Sequence, residues 1–188
     1  MKIISIHKET EDLIDEALKG NRIVYQQLYQ LYSPGILSIC RQYMGDFHRA
    51  EDMMVQVFVK AFEHLKSYRR EGSFRAWLRR IAVNECISQL RCNNLLIFDD
   101  RPMDLETEPI SADSHLHLED IQAMIDELPE GCRTVFNLYA IEGYKHHEIS
   151  EMLRITPGTS KSQLAYARKL LQTKIKQLNS EYHGKISI

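Results

Sequence analysis

Between residues 96 and 131 the sequence carries one Lys or Arg against 11 Asp or Glu, and the stretch from Phe98 to Asp113 holds Pro102 and Pro109 with no sustained hydrophobic period. A segment of that composition cannot bury enough apolar surface to offset the entropy of ordering it. It reads as an extended acidic connector, and whatever folds must do so on either side of it. Both sides are basic: residues 21–95 hold 11 Lys or Arg against 6 Asp or Glu, and residues 132–188 hold 9 against 4. The formal net charge of -2 therefore conceals two cationic modules on a negative tether. Cationic surfaces release counterions from a polyanion, whereas an acidic tether repels DNA and can mimic it inside a basic channel. This pattern points to nucleic acid as one partner and something positively charged as another.

With 188 residues and 44% hydrophobic residues, the chain can bury a core. No run approaches the ~18 apolar residues of a membrane span. Residues 1–9 turn acidic after a short apolar patch, without the apolar stretch of a secretory signal. The expectation is a cytoplasmic protein with no membrane insertion. Cys40, Cys86, Cys92 and Cys132 form no CxxC pair and read as small buried thiols. His115-x-His117 and His146-His147 match no zinc spacing, so neither a metal nor a cofactor is expected.

Upstream of the connector the apolar residues recur at helical spacing. Ile23, Val24, Leu28, Leu31 and Tyr32 form one stripe; Ile36, Ile39, Cys40 and Tyr43 form a second after Pro34-Gly35. A third runs through Ala50, Met53, Met54, Val57, Phe58, Ala61, Phe62 and Leu65, with Asp46 placed to cap it. The fourth, Phe74, Trp77, Leu78, Ile81, Ala82 and Leu90, follows Ser73, another cap candidate. Arg75, Arg79 and Arg80 share or flank its polar side with Asn84 and Arg91, behind the loop from Lys66 to Gly72. Cations beside aromatic rings suit single-stranded nucleic acid, which needs charge for phosphate and π-faces for unstacked bases.

Downstream, Leu118, Ile121, Ile125 and Leu128 form a stripe that stops at Pro129-Glu130-Gly131, and Val135, Leu138 and Tyr139 a short second helix. A helix from His146 to Leu153, a turn through Gly158 and a longer helix from Thr159 to Leu178 give the helix-turn-helix order. Thr159, Ser160, Lys161, Gln163 and Tyr166 read as the outward residues of the long helix, with Arg168, Lys169 and Lys174 beyond. Gln can pair with adenine, Thr or Tyr can meet a thymine methyl or a phosphate, and Lys and Arg anchor the backbone.

Ala50-Glu51-Asp52 with Val57-Phe58, then Gly72-Ser73-Phe74-Arg75-Ala76-Trp77-Leu78 with Ile81-Ala82, Asn84 and Leu90-Arg91, resembles region 2 of the extracytoplasmic-function (ECF) group of bacterial RNA polymerase sigma factors. Leu128-Pro129-Glu130, Glu142-Gly143-Tyr144, Glu148-Ile149 with Glu151-Met152-Leu153, and Gly158-Thr159-Ser160-Lys161-Ser162-Gln163-Leu164 with Ala167-Arg168-Lys169 resemble region 4 of the same group. The resemblance implies an all-α protein: an N-terminal extension and start of the first helix (1–20), region 2 (21–95), an acidic linker (96–117), a region 4 helix-turn-helix (118–180) and a tail (181–188).

The same resemblance implies the partners and the sites. Core RNA polymerase would meet Glu51, Asp52 and Gln56 through its β′ clamp coiled coil, and the second module through its β-flap tip. The minus-ten promoter element would be opened and a base captured by Lys66, Tyr68, Arg69, Arg70, Arg75, Trp77, Arg79, Arg80 and Asn84. The minus-thirty-five element would be read by Lys145, His146, Thr156, Thr159, Ser160, Lys161, Gln163, Tyr166 and Arg168. The linker would thread the active cleft and RNA exit channel, and an anti-sigma factor is a further expected partner. Several positions depart from the family pattern: Val55 stands where Gln is usual, Gln56 where an acid is usual, Ser88 where Asp is common, and Gln163 and Tyr166 where Arg is frequent. No catalytic constellation is present, since Glu51 and Asp52 lie side by side on a helix without a phosphate loop or HExxH, so no enzyme is expected. The alternative is a polymerase-independent, dimeric helix-turn-helix regulator spanning two half-sites.

Overall fold

The computed structural model describes residues 2–92 and 118–186, with side chains over 10–92 and 120–178. The connector, His115, His117 and the tail residues 187–188 lie outside that range. Among the described residues there are eight α-helices and no strand, in two compact units that divide at Leu90 and Arg91.

The first unit holds α1 (Lys2–Leu18), α2 (Arg22–Met44), α3 (Phe47–Glu63) and most of α4 (Phe74–Cys92). Its start differs from the sequence reading, because α1 is a separate helix rather than an extension leading into the first one. Ile14 and Ala17 of α1 are buried, the Thr10 hydroxyl lies 2.8 Å from the Tyr32 hydroxyl, and Tyr25 donates to the Ala17 carbonyl at 3.1 Å. A second correction concerns Pro34. Helix α2 runs unbroken through Pro34-Gly35 as one 23-residue element. Proline there forfeits one backbone hydrogen bond, and the apolar face on both sides of it, Val24, Leu28, Ile36, Ile39, Cys40 and Tyr43, holds the helix together by burial. Ile23 and Leu31, expected on the inward stripe, are exposed.

Asp46 caps α3 by accepting from the Arg49 N–H at 2.9 Å, and the Ser73 hydroxyl accepts from the Ala76 N–H at 3.2 Å ahead of α4. The core forms where α3 (Ala50, Met53, Met54, Val57, Phe58, Ala61) and α4 (Phe74, Leu78, Ala82, Val83, Cys86, Leu90) bury their stripes. Cys40 and Cys86 are buried, as is Cys132 in the second unit, whereas Cys92 is exposed. A hydrogen bond with Cys40, with burial behind it, pushes the Cys86 thiol well above its ordinary range.

The second unit holds α5 (Leu118–Asp126), α6 (Glu130–Phe136), α7 (His146–Leu153) and α8 (Pro157–Ile186). Arg133, itself buried, donates to the Asp126 carbonyl at 2.8 Å and so closes the end of α5. Met124, Ile125 and Leu128 are buried, while Ile121 is exposed. Helix α6 continues as a π-helical turn over Asn137–Ile141 and closes at Glu142, whose N–H reaches the Asn137 carbonyl at 3.0 Å. Helix α8 begins two residues earlier than expected. Pro157 suits the first helical position because its missing N–H needs no partner there, and the Thr156 hydroxyl caps the turn by accepting from the Thr159 N–H at 3.0 Å.

Candidate nucleic-acid and polymerase interfaces

Three surfaces carry the residues singled out above. On α3, residues 52, 55, 56 and 59 share one face by helical spacing, and Asp52, Val55, Gln56 and Val59 are all exposed. Glu51 is half-buried beside it, 3.7 Å from His48 Nδ1. The exposure of Val55 and Val59, about half of each residue at 51% and 53%, gives this face an apolar centre. Val59 was absent from the sequence reading, although its signal was present: it stands out of phase with the Met53, Val57, Ala61 stripe.

The second surface joins α4 to the loop before it. Trp77, Arg80, Asn84 and Arg91 recur at helical spacing on the side of α4 opposite Leu78, Ala82 and Cys86. Arg80 and Asn84 are exposed, and Trp77 is half-buried. The indole lies 5.5 Å from the Tyr68 ring and 5.4 Å from the Phe74 ring, centroid to centroid, and the buried Phe74 sits 5.2 Å from Tyr32. Phe74 is thus core, while Trp77 is the open rim of an aromatic cluster. The Tyr68 hydroxyl donates to the Gly72 carbonyl at 2.6 Å, and burial pushes its pKa above the ordinary 10.0. Gly72, at φ 135°, takes a backbone shape that side chains disfavour, and Arg70 is left-handed at φ 60°.

The arginines do not act as one set. Lys66 and Arg69 are exposed, but the Arg70 guanidinium pairs with the Asp15 carboxylate of α1. Arg75 and Arg79 do not share the Trp77 face: one Arg75 Nη comes to 3.4 Å of the space a side chain at Gly35 would take, and Arg79 is half-buried.

The third surface is built on α7, α8 and the turn between them. That turn is set by Arg154, left-handed at φ 57°, whose N–H closes α7 on the Ser150 carbonyl. Lys145, Thr156, Lys161 and Arg168 are exposed, and Thr159 is half-buried. Two expectations are corrected here. Ser160 and Gln163 do not face outward; they are 0% and 2% exposed. Together with Leu164, Ala167 and Leu171 they fall on the face that α8 packs against α6 and α7, which helical period dictates once Leu164 and Ala167 are core. Gln163 Oε1 accepts from Cys132 Sγ at 2.9 Å, and Ser160 Oγ lies 2.9 Å from His146 Nδ1. Tyr166 is also drawn in, packing at the edge of the Leu128, Cys132 and Ala167 cluster.

His146 is the meeting point of this surface. Its ring stacks on Tyr139 at 4.7 Å and 23°, and the Arg168 guanidinium lies 5.7 Å from the same Tyr139 ring centre. Burial first, then the charges of Lys161 and Arg168, lower its pKa from the ordinary 6.5, so the imidazole is neutral at pH 7. Tyr139, expected on the short second helix, stands on the π-helical turn and is 36% exposed, with its ring against His146.

Family models match each of the two units. Sigma-70 region 2 matches residues 28–95, and Sigma-70, region 4 matches residues 118–171. The chain is 28% identical to the ECF RNA polymerase sigma factor SigW of Bacillus subtilis, over 88% of this chain and 96% of that protein. It is 25% identical to the RNA polymerase sigma-H factor of Pseudomonas aeruginosa, over 93% and 97%. In fold it is similar to the sigma factor RpoE of Bartonella quintana, solved with the anti-sigma factor NepR, at a TM-score of 0.50 and 23% identity over 81% of this chain and 96% of that one. All-helical units matching regions 2 and 4 define an RNA polymerase sigma factor of the sigma-70 family. Within that family the chain belongs to the ECF group, and the polymerase-independent dimeric regulator is not favoured. Among the described residues, no helix is long and apolar enough to cross a membrane.

Proposed function

We propose that the protein initiates transcription by placing two promoter contacts in register on core RNA polymerase, without catalytic chemistry of its own and in the cytoplasm. The boundaries 21–95 for region 2, 96–117 for the linker and 118–180 for region 4 belong to this reading, with residues 1–20 and 181–188 as flanks. The observation that carries it is the α4 surface, where an open aromatic rim at Trp77 and Tyr68 adjoins the exposed Arg80 and Asn84. Melting a promoter exposes unstacked bases, and a base removed from its stack is held by π-faces and by groups that pair with its edge. Asn84 offers one acceptor and two donors for that purpose.

In this reading Glu51, Asp52 and Gln56, around Val55 and Val59, meet the β′ clamp. Lys66, Tyr68, Arg69, Arg70, Arg75, Trp77, Arg79, Arg80 and Asn84 serve the minus-ten element; Arg70 reaches a phosphate only by leaving Asp15. Lys145, Thr156, Thr159, Lys161, Tyr166 and Arg168 serve the minus-thirty-five element, and His146, Ser160 and Gln163 support them from behind α8. The second unit also meets the β-flap tip, the linker occupies the polymerase cleft, and an anti-sigma factor silences the protein by covering its polymerase surfaces. Core binding raises the effective concentration of both weak DNA contacts.

Run-off transcription with core polymerase from the same source on its genomic DNA, followed by start-site mapping, tests the function. Promoter-dependent transcripts are expected, and none at all would overturn it. On a mapped promoter, Asn84→Ala is expected to slow opening by about five- to tenfold, the scale of one lost hydrogen bond, with closed-complex affinity nearly unchanged. Equal loss in both steps would remove Asn84 from base capture.

A further inference from the structure

The second unit holds a closed circuit of polar and aromatic contacts that ties Ser160, His146 and Arg168 to Tyr139, a residue to which the family resemblance gives no part. Starting at the first turn of α8, Ser160 Oγ bonds His146 Nδ1 at 2.9 Å; the imidazole stacks on Tyr139 at 4.7 Å; and Tyr139 meets the Arg168 guanidinium at 5.7 Å, back on α8. Residues 160 and 168 are eight apart, about 12 Å along a helix. The circuit therefore braces two turns of α8, the two turns whose outward face carries Lys161. One anchor, Ser160, is fully buried, which fixes the first contact. The other support, Tyr139, stands on a π-helical turn, a costly local geometry that tends to mark functional sites.

We propose that Tyr139 and His146 are positioning residues that set the angle at which α8 enters DNA, and so govern sequence discrimination rather than overall DNA affinity. The proposal rests on the reading of α8 as the minus-thirty-five reader. A base-edge contact depends on direction and distance, whereas attraction between a lysine or arginine and phosphate tolerates a small tilt. Loosening the circuit thus costs discrimination first.

The test uses the full-length chain assembled with core polymerase, on a promoter mapped as above and on the same promoter with its minus-thirty-five element scrambled. His146→Ala and Tyr139→Ala are each expected to lower the ratio of the two affinities by about tenfold, one base contact's worth, while the salt dependence of binding stays that of the parent. His146→Asn, whose amide can take the place of Nδ1 toward Ser160, is expected to restore most of the ratio. A merely structural role would lower both affinities together and follow the melting temperature. An unchanged ratio in a folded His146→Ala or Tyr139→Ala protein overturns the proposal alone, and so does a His146→Asn protein as defective as His146→Ala. Should His146→Ala not fold, Tyr139→Ala decides, since its side chain lies at the surface. If no promoter is obtained, the reading of α8 fails and the proposal falls with it.

Discussion

His146 shows how a single side chain can make stability depend on pH. Its folded pKa lies below the ordinary 6.5, so the unfolded chain binds the proton more readily. Linkage then fixes the sign: the contribution is intact above the ordinary value and is lost as pH falls from there through the lower folded value. The melting temperature of the second unit is expected to drop on acidification below about pH 6.5, and His146→Asn to flatten that part of the profile. Gly35 gives an effect of opposite sign. It sits inside α2, and a methyl group there would meet only the flexible end of Arg75 at 3.4 Å. Gly35→Ala is therefore expected to stabilise the first unit by roughly 0.5–1 kcal/mol in denaturant unfolding, through the entropy that glycine gives the unfolded chain. At this scale the sequence was a partial guide. The exposure of Asn84, Arg80, Lys161 and Arg168 followed from polarity and period, but the burial of Ser160 and Gln163 did not, because a small hydroxyl and an amide can both be satisfied inside by partners such as His146 and Cys132 that lie far away in the chain.

Helices were read best where a cap and a stripe agreed. Asp46 and Ser73 stand ahead of α3 and α4 in sequence and bond there in the fold. Asp46→Ala should destabilise the first unit by about 1 kcal/mol, the usual worth of such a cap, and Asp46→Asn by much less; chemical denaturation of both variants measures the difference. Where local signals conflicted with packing, packing decided. Pro34-Gly35 looked like a boundary, but the apolar residues before and after it belong to one buried face, so α2 continues. The π-helical turn at Asn137–Ile141 left no trace in the sequence, since one extra residue per turn alters no composition and only shifts the phase of Tyr139. Helix α1 was not told apart from the helix after it for another reason: among its described side chains the buried ones, Thr10, Ile14 and Ala17, include one large apolar residue.

For the molecule as a whole, each unit has its own buried centre, so fragments spanning residues 1–92 and 118–188 are each expected to melt cooperatively on their own. A fragment that shows helical circular dichroism without a cooperative transition would mean that its core does not suffice. The division of charge was legible from counting alone, because charged residues partition by segment whatever the fold. One contact inside the second unit bears on how the protein would choose among genomic sites. With the Gln163 amide turned in to the Cys132 thiol, the presented side of α8 keeps Lys161 and Arg168, whose donors suit guanine edges and phosphates, and lacks the amide that would pair with adenine. On the proposed reading of α8, its targets should then be spelled by guanines where the cations reach and be loosely specified at adenines, so that swapping an adenine in a mapped site costs less than swapping a guanine.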